Sequence, residues 1–236
     1  MTQAISWVFC ALMSASAATI QAHHSQQSGA PGRPEVLKLA KDVYSIGQLR
    51  VDTARREVSV AATANDAHVL EFVANTKGGF KAYESALTVE SDAVSFNAAL
   101  LLIGLDPKHA RVPTRHFDPV TPEGDPVEIF VEWTAGGERR RVRVEQLLYD
   151  VRTKQPVPDG PWVYTGSTFV KSDETQQYMA DLDGVLIGFV HSPAPIIENP
   201  RAGAVDSYGS VVFNRRLGLT PGTAVTLTIR ALPQKR

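Results

Sequence analysis

Cysteine is almost absent from this sequence, since Cys10 is the only one among 236 residues. It lies in the apolar segment at the N-terminus, so removal of that segment would leave no thiol in the chain. The absence excludes a disulfide framework, a cysteine-based zinc site, an iron–sulfur cluster and a cysteine nucleophile. An excess of charge is missing as well, because the net charge is −1. We therefore expect no nucleic acid among the partners of this protein.

Charged side chains are also missing from the first 22 residues. An apolar run at Ile5–Leu12 is followed by small residues, a pattern that is typical of a signal peptide and too short to span a membrane. We therefore predict an exported protein, periplasmic or extracellular, with its signal peptide at 1–22. A polar leader at 23–40 is predicted to be flexible, and residues 41–233 are predicted to form a single domain.

Long apolar runs are rare in the remaining sequence, and short alternating runs separated by turn residues are common. This pattern, together with 17 Gly and 15 Pro, predicts a β-rich fold. The first four runs predict an antiparallel meander of strands at 46–52, 58–64, 68–74 and 82–89. Two Pro-rich stretches without periodicity, at 106–125 and 191–205, are predicted to be long loops.

Two strands predicted between residues 126 and 145 have a pairing register that can be derived from their side chains. A register that pairs Trp133 with Arg140 sets the apolar residues opposite one another, for example Val131 opposite Val142. A shift by one residue would set the apolar residues opposite arginines instead. We therefore predict the first register, with the arginine run on a solvated hairpin face rather than in a nucleic-acid site.

The most apolar helical pattern in the chain covers about residues 91–104. Ser91 or Asp92 can cap its N-terminus, and Gly104 is placed to end it. Apolar side chains cover its whole circumference, which is typical of a helix buried on all sides. We therefore predict an α+β fold in which a mostly antiparallel β-sheet wraps around this one buried helix, with long Pro-rich loops.

Polar side chains in apolar surroundings are the candidates for a binding site. Asn97 lies on the apolar helix, where a buried amide needs a partner that a loop backbone or a site could supply. Glu84 and Ser85 precede the helix on a predicted strand, whose alternation sets them on opposite faces. The complete set of binding candidates is Glu84, Ser85, Asn97, Trp162, Ser167 and Asp181. No catalytic motif frames Ser167 or any other residue, so no catalytic residue is predicted.

Four motifs in order give this chain a family resemblance. They are Tyr83-Glu84-Ser85 with the run from Asn97 to Leu105, then Trp162–Phe169, then Tyr178–Asp181 with Gly184 and Ile187, and finally Leu219–Thr223 with Val225. Over residues 41 to 232 the chain resembles the YdjY-domain proteins of bacteria. The resemblance implies no settled activity, although some relatives are exported. Some relatives also carry a ferredoxin-like cluster domain, for which this chain lacks the cysteines. Relatives often have His at the positions of Tyr83 and Asn97, and this departure speaks against a metal or acid–base site there.

Histidines and carboxylates provide two further candidate sites, both for a metal ion. Three of them share one Pro-rich loop, which could bring them together: His109, His116 and Asp118. Signal cleavage after Ala22, one of three possible positions, would leave His23 at the N-terminus, where it could bind copper together with His24. Apart from these options we expect no cofactor.

The sequence therefore predicts an exported, non-catalytic domain that binds a small ligand or an envelope protein partner. The alternative is a metal-dependent or redox accessory enzyme that uses carboxylates and histidines. A third reading is a purely structural envelope protein, which would have no pocket near Asn97.

Overall fold

The computed structural model describes residues 34–172, 175–201 and 209–234 of the chain. Its α-helices in these residues are α1 (Ala93–Leu102) and α2 (Met179–Asp183). The strands are β1 (Val36–Ala40), β2 (Val43–Ile46), β3 (Leu49–Asp52), β4 (Glu57–Ala64), β5 (Phe72–Thr76), β6 (Ser85–Val89), β7 (Asp125–Ala135), β8 (Glu138–Arg143), β9 (Leu148–Asp150), β10 (Gln155–Pro156), β11 (Trp162–Tyr164), β12 (Phe169–Ser172), β13 (Thr175–Tyr178), β14 (Val185–Gly188), β15 (Ile197–Glu198), β16 (Val211–Phe213) and β17 (Ala224–Ala231).

Eight strands close into a barrel in the order β4-β17-β7-β11-β15-β14-β5-β6. The barrel closes where the second half of β4 pairs with β6, since Ala62 lies opposite Val89 and Ala64 opposite Leu87. The first half of β4 pairs with β3 instead, so the antiparallel strands β1 to β3 continue the sheet outside the barrel. Within the barrel, β5 pairs with β6 and β14 with β15 in parallel, and the other neighbours are antiparallel.

Alternating side chains of the long strands fill the barrel interior. Along β4 the buried residues alternate with residues that are partly or fully exposed, and β7 repeats this pattern. The short strand β11 contributes Trp162 and Tyr164, which are both fully buried. An eight-stranded barrel is just wide enough to be filled by side chains. The interior is therefore a packed core, in which Trp162 and Tyr164 are the largest of the fully buried side chains.

The predicted α+β fold, with a mostly antiparallel sheet around one buried helix at about 91–104, is wrong. The fold is mostly β, and α1 packs against β3, β14 and α2 while strand side chains fill the barrel. Phe96 and Leu100 of α1 are buried, but Leu101 and Leu102 are 44% and 38% exposed. The apolar circumference therefore does not mean burial on all sides, because one side of α1 is exposed to solvent.

The predicted register of the hairpin formed by β7 and β8 is confirmed. Trp133 lies opposite Arg140, and Val131 lies opposite Val142. The arginines on the other face form ion pairs across the hairpin, as Arg143 does with Glu128 at 2.8 Å. The apolar alternation was sufficient to determine this pairing, because only one register keeps the apolar residues together.

The predicted antiparallel meander is partly wrong. The strand at 58–64 is confirmed as β4, but the strand at 46–52 is divided by a turn in which Gly47 has a φ of 55°. Residues 80–84 form a 3₁₀-helix, so the strand predicted at 82–89 is shorter. This strand, β6, also pairs with β5 in parallel. The alternation of apolar and polar residues within a strand does not indicate whether its neighbour is parallel or antiparallel.

The predicted signal peptide at 1–22, and His23 and His24 with it, lie outside the described residues. β1 begins at Val36, within the stretch of 23–40 that was predicted to be a flexible leader. Among the described residues, no helix is both long enough and apolar enough to cross a membrane.

Candidate functional site

A cleft of about 490 Å³ lies beside the N-terminus of α1 and the helix α2. Its walls carry the carboxylates of Glu90, Asp92 and Asp181 and the ammonium group of Lys77. We call it the acidic cleft, because three carboxylates and one ammonium group leave two negative charges uncompensated.

Two glycine-containing turns form the base of the acidic cleft. One turn follows β5 and contains Gly79, and the other ends α2 at Gly184, whose φ is 64°. The backbone N–H of Thr76 donates to the Gly184 carbonyl at 2.8 Å. A Cβ atom on Gly184 would lie 2.7 Å from the Cα atom of Gly79, so the two turns approach each other as closely as glycines allow.

Asp92 and Asp181 are the two carboxylates of the cleft without a cationic partner among the described residues. Asp92 caps α1, because its side chain accepts hydrogen bonds from the backbone N–H and the hydroxyl of Ser95, both at 2.7 Å. Asp181 accepts no hydrogen bond from any described residue. Partial burial, together with the charge of Asp92, raises the pKa of Asp181. A bound cation would relieve the repulsion between these two carboxylates.

The third carboxylate, Glu90, is already paired, because Lys77 donates to it at 2.7 Å. The apolar part of the wall comes from Phe80 and Leu182, which are 62% and 45% exposed. Apolar side chains this exposed beside carboxylates suit a ligand that has both a hydrocarbon part and a positive charge.

Lys81 shows how the adjacent 3₁₀-helix accommodates a cation. Its ammonium group lies 5.6 to 5.8 Å from the ring centroids of Phe72, Phe80 and Tyr83, and 2.6 Å from Glu84. The ion pair with Glu84 contributes to the raised pKa of Lys81, although burial acts against it. Glu84, a predicted binding candidate, is therefore the partner of Lys81.

Two tyrosines, the buried Tyr164 and the partly buried Tyr178, hold the next group of predicted residues. The Tyr164 hydroxyl donates to the Asn97 side chain at 2.7 Å, and the Tyr178 hydroxyl donates to the Gly166 carbonyl at 2.9 Å. Burial is the main cause that raises the pKa of each tyrosine, so both hydroxyls stay protonated. Ser167 donates to the Ala194 carbonyl at 2.6 Å. The polar side chains of Asn97 and Ser167 therefore have hydrogen-bond partners within the fold. The partner of Asn97 is a tyrosine hydroxyl and not a loop backbone.

The structure does not bring all six predicted binding candidates together. Asp181 lines the acidic cleft, and its charge also raises the pKa of Tyr178, which places it near the tyrosine pair. Ser85 and Trp162 are both fully buried in the barrel wall. Neither Ser85 nor Glu84 bonds to Asn97.

The three metal candidates of the Pro-rich loop have separate partners. His109 bonds to Asp125 at 2.7 Å, and His116 lies 3.1 Å from Glu71. Asp118 accepts hydrogen bonds from its own loop, and those from the backbone N–H groups of Val120 and Thr114 lower its pKa to about 2. Within the described residues, no group of three or more His, Cys, Asp or Glu side chains is placed to bind a metal ion.

Sequence reasoning missed the apolar wall of the cleft and the partner of His109. Phe80 follows the turn residues Gly78-Gly79, but nothing in this local pattern distinguishes an exposed aromatic side chain from a buried one. Asp92 was recognised only as a helix cap. The pairing of His109 with Asp125 had no signal in the sequence, because the two residues are 16 positions apart in a stretch without periodicity.

The fold and the cleft define a small closed-barrel domain with a preformed acidic cleft on its surface. The chain belongs to the YdjY domain family, whose family model matches residues 49–230. No curated protein and no solved structure matches it.

Proposed function

We propose that this protein is an exported, non-catalytic binding domain whose acidic cleft takes a small alkylammonium compound. The observation that carries the proposal is the unpaired carboxylate of Asp181, which lies near Asp92 beside the exposed side chains of Phe80 and Leu182. Two carboxylates would bind the ammonium group, and the two apolar side chains would contact the hydrocarbon chain. The volume of about 490 Å³ is in the range of small-molecule sites.

Calorimetric titration with n-butylammonium tests this function directly. We expect saturable binding that weakens as salt is added, because the attraction between partly exposed charges is screened. The uncharged isostere 1-butanol should bind at least about tenfold more weakly. Equal affinity for the amine and the alcohol would contradict a role for the carboxylates. A titration repeated in the presence of calcium tests whether a bare divalent cation occupies the cleft instead. We expect n-butylammonium to bind in the presence of calcium.

The substitution Asp181→Asn should weaken n-butylammonium binding about tenfold, because it removes a charge without changing the volume of the side chain. Phe80→Ala should weaken binding by a few-fold through the loss of apolar contact. Asp183→Asn is the matched control, since it makes the same change on the same helix but does not line the cleft. Equal effects of Asp181→Asn and Asp183→Asn would show a general charge effect and would exclude this site.

Export and the absence of catalysis are parts of the same proposal and have their own tests. The uncharged, apolar start of the chain supports export. Cell fractionation and the intact mass of the protein test export, and the mass also decides whether His23 is the N-terminal residue that could bind copper. Turnover in a broad hydrolase and redox screen would count against a non-catalytic domain. The metal-dependent or redox alternative instead predicts a stoichiometric metal in protein purified without a tag.

A further inference from the structure

A second cavity, of about 530 Å³, is lined by residues that do not belong to the acidic cleft. His109 and Asp125 provide its ionisable groups. Most of its remaining wall is apolar, and comes from Pro126, Pro161, Leu232 and Pro233. We call it the His109 pocket.

Asp125 is a buried carboxylate at the start of β7, where it lies opposite Tyr164 of β11. One of its oxygens accepts a hydrogen bond from the backbone N–H of Asp106 at 2.8 Å. The other accepts from His109 Nδ1 at 2.7 Å and from the side-chain amide of Gln234. Both carboxylate oxygens are therefore occupied by donors from the protein.

The contact with Asp125 determines the tautomer of His109. Gln234 Nε2 lies 2.9 Å from the same Nδ1, and both nitrogens contact one oxygen of Asp125. Because a carboxylate can only accept, the 2.7 Å contact with Asp125 requires a proton on Nδ1, and the neutral ring then has its lone pair on Nε2. Among the described residues, Nε2 has no hydrogen-bond partner. The His109 side chain is 50% exposed, and Nδ1 is directed at the buried carboxylate. Nε2 is consequently an open hydrogen-bond acceptor on a side chain that lines the pocket and is held in orientation by Asp125.

We propose that the His109 pocket binds a small hydroxyl compound with an apolar ring, whose O–H group donates to Nε2 of His109. The proline and leucine side chains would contact the ring. None of the lysines or arginines among the described residues lines the pocket, and the nearby carboxylate disfavours an anion. A metal ion would find one open donor here, because both Asp125 oxygens are already taken. This site is separate from the acidic cleft and does not depend on the function proposed for that cleft.

The hydrogen bonds of Asp125 with His109 and with the Asp106 backbone have a second possible role, which is purely structural. In that role they would only hold the loop at Asp106–His109 against β7. The variant His109→Asn separates the two roles, since an asparagine amide can still donate to Asp125 but has no atom at the position of Nε2. His68→Asn is the matched control, because His68 is exposed and lines a different cavity.

The test is a ¹⁵N NMR titration of the full chain with phenol, and with anisole as the probe that lacks the hydroxyl donor. We expect phenol to produce a saturable shift of the His109 Nε2 resonance and to bind at least about tenfold more tightly than anisole. His109→Asn should abolish the preference for phenol without changing the unfolding midpoint, and His68→Asn should leave it intact. Equal affinities for phenol and anisole, or no saturation with either, would overturn the proposal. The hydrogen bond between His109 and Asp125 would then have only the structural role of holding the loop against β7.

Discussion

Glu198 is a carboxylic acid without contact with water, and it makes the stability of the fold depend on pH. Its side chain is fully buried, and one oxygen accepts from the Ser192 backbone N–H at 3.2 Å. The other oxygen has no hydrogen-bond partner among the described residues. Burial raises the pKa of Glu198 well above its ordinary value of 4.5, so the folded protein retains a proton that the unfolded chain releases.

The sign of the resulting pH dependence follows from this raised pKa. The contribution of Glu198 to stability is fully present below pH 4.5 and is lost as the pH rises towards the pKa of the folded state. We expect Glu198→Gln to reduce the loss of unfolding free energy across this window, because glutamine does not titrate. Urea unfolding at a series of pH values above 4.5 measures the effect. Glu138→Gln, at an exposed carboxylate of β8, is the control and should leave the pH dependence as in the unmodified protein.

Asp118 has the opposite linkage. Hydrogen bonds from its own loop lower its pKa to about 2, so its contribution is present above pH 3.8 and is lost as the pH falls towards 2. Asp118 and Glu198 are both acidic residues, yet their effects on stability have opposite dependences on pH. The residue type alone therefore does not reveal the role of such a side chain. In the sequence, Asp118 is a candidate metal ligand and Glu198 lies in the Pro-rich stretch 191–205 predicted to be a loop, and only their burial and donors distinguish them.

The contact between two turns is the element-scale feature on which the acidic cleft depends. Gly184 ends α2 with a positive φ and touches the backbone of Gly79. Gly222 also has a positive φ, of 81°, but a Cβ atom there would meet nothing within 4 Å. A comparison of Gly184 with Gly222 therefore separates two costs of adding a Cβ atom. One is the cost of the left-handed backbone conformation, which both positions share, and the other is the cost of the clash with the Gly79 backbone, which only Gly184 has.

We expect Gly222→Ala to lower the free energy of unfolding by about 1–2 kcal/mol, which is the cost of a left-handed conformation with a Cβ atom. Gly184→Ala should cost at least about 1–3 kcal/mol more, because the Gly79 backbone would have to move. It should also weaken n-butylammonium binding, since both turns line the cleft. Urea unfolding and calorimetry provide the two measurements. Similar losses of stability for the two variants would mean that the turns can separate without cost.

Elements with a strong local pattern were predictable from the sequence. The apolar alternation of β7 and β8 determined their register, and Asp92 and Gly104 lie next to the ends of α1 as cap and stop residues should. The barrel was not predictable, because β11 and β15 have three and two residues and carry no periodicity. Their partners are set by tertiary packing, so closure of the sheet left no local signal.

The candidate site was predictable only in part, for a related reason. Asp181 was identified because a carboxylate stood in an apolar motif, and it does line the cleft. Trp162 was proposed on its aromatic character, which serves the barrel core equally well. Phe80 was not proposed, because exposure depends on which surfaces the barrel leaves uncovered.

At the scale of the whole molecule, one buried carboxylate connects parts of the barrel wall that are far apart in sequence. Glu145 is fully buried and follows β8. It accepts hydrogen bonds from Arg143 at 3.1 Å, from the Gly160 backbone N–H at 3.0 Å and from Arg201 at 2.9 Å. The Arg201 guanidinium also lies 5.3 Å from the centroid of the Trp162 ring. These contacts hold the segments beside the short strands β11 and β15, which have few backbone hydrogen bonds of their own.

We therefore expect Glu145→Ala to lower the free energy of unfolding by about 3–5 kcal/mol, because it leaves two arginines near the core without their shared carboxylate. The control is Glu123→Ala, which removes the exposed partner of Arg111 and should cost no more than about 1 kcal/mol. Urea unfolding followed by tryptophan fluorescence and by far-UV circular dichroism measures both variants. Since the barrel is closed, the two signals should change together in each variant. A loss below about 1 kcal/mol in Glu145→Ala would show that the wall beside β11 and β15 is held by its backbone pairing alone. A fluorescence transition that precedes the loss of strand signal would show instead that this wall opens before the rest of the barrel and is not joined to it by Glu145.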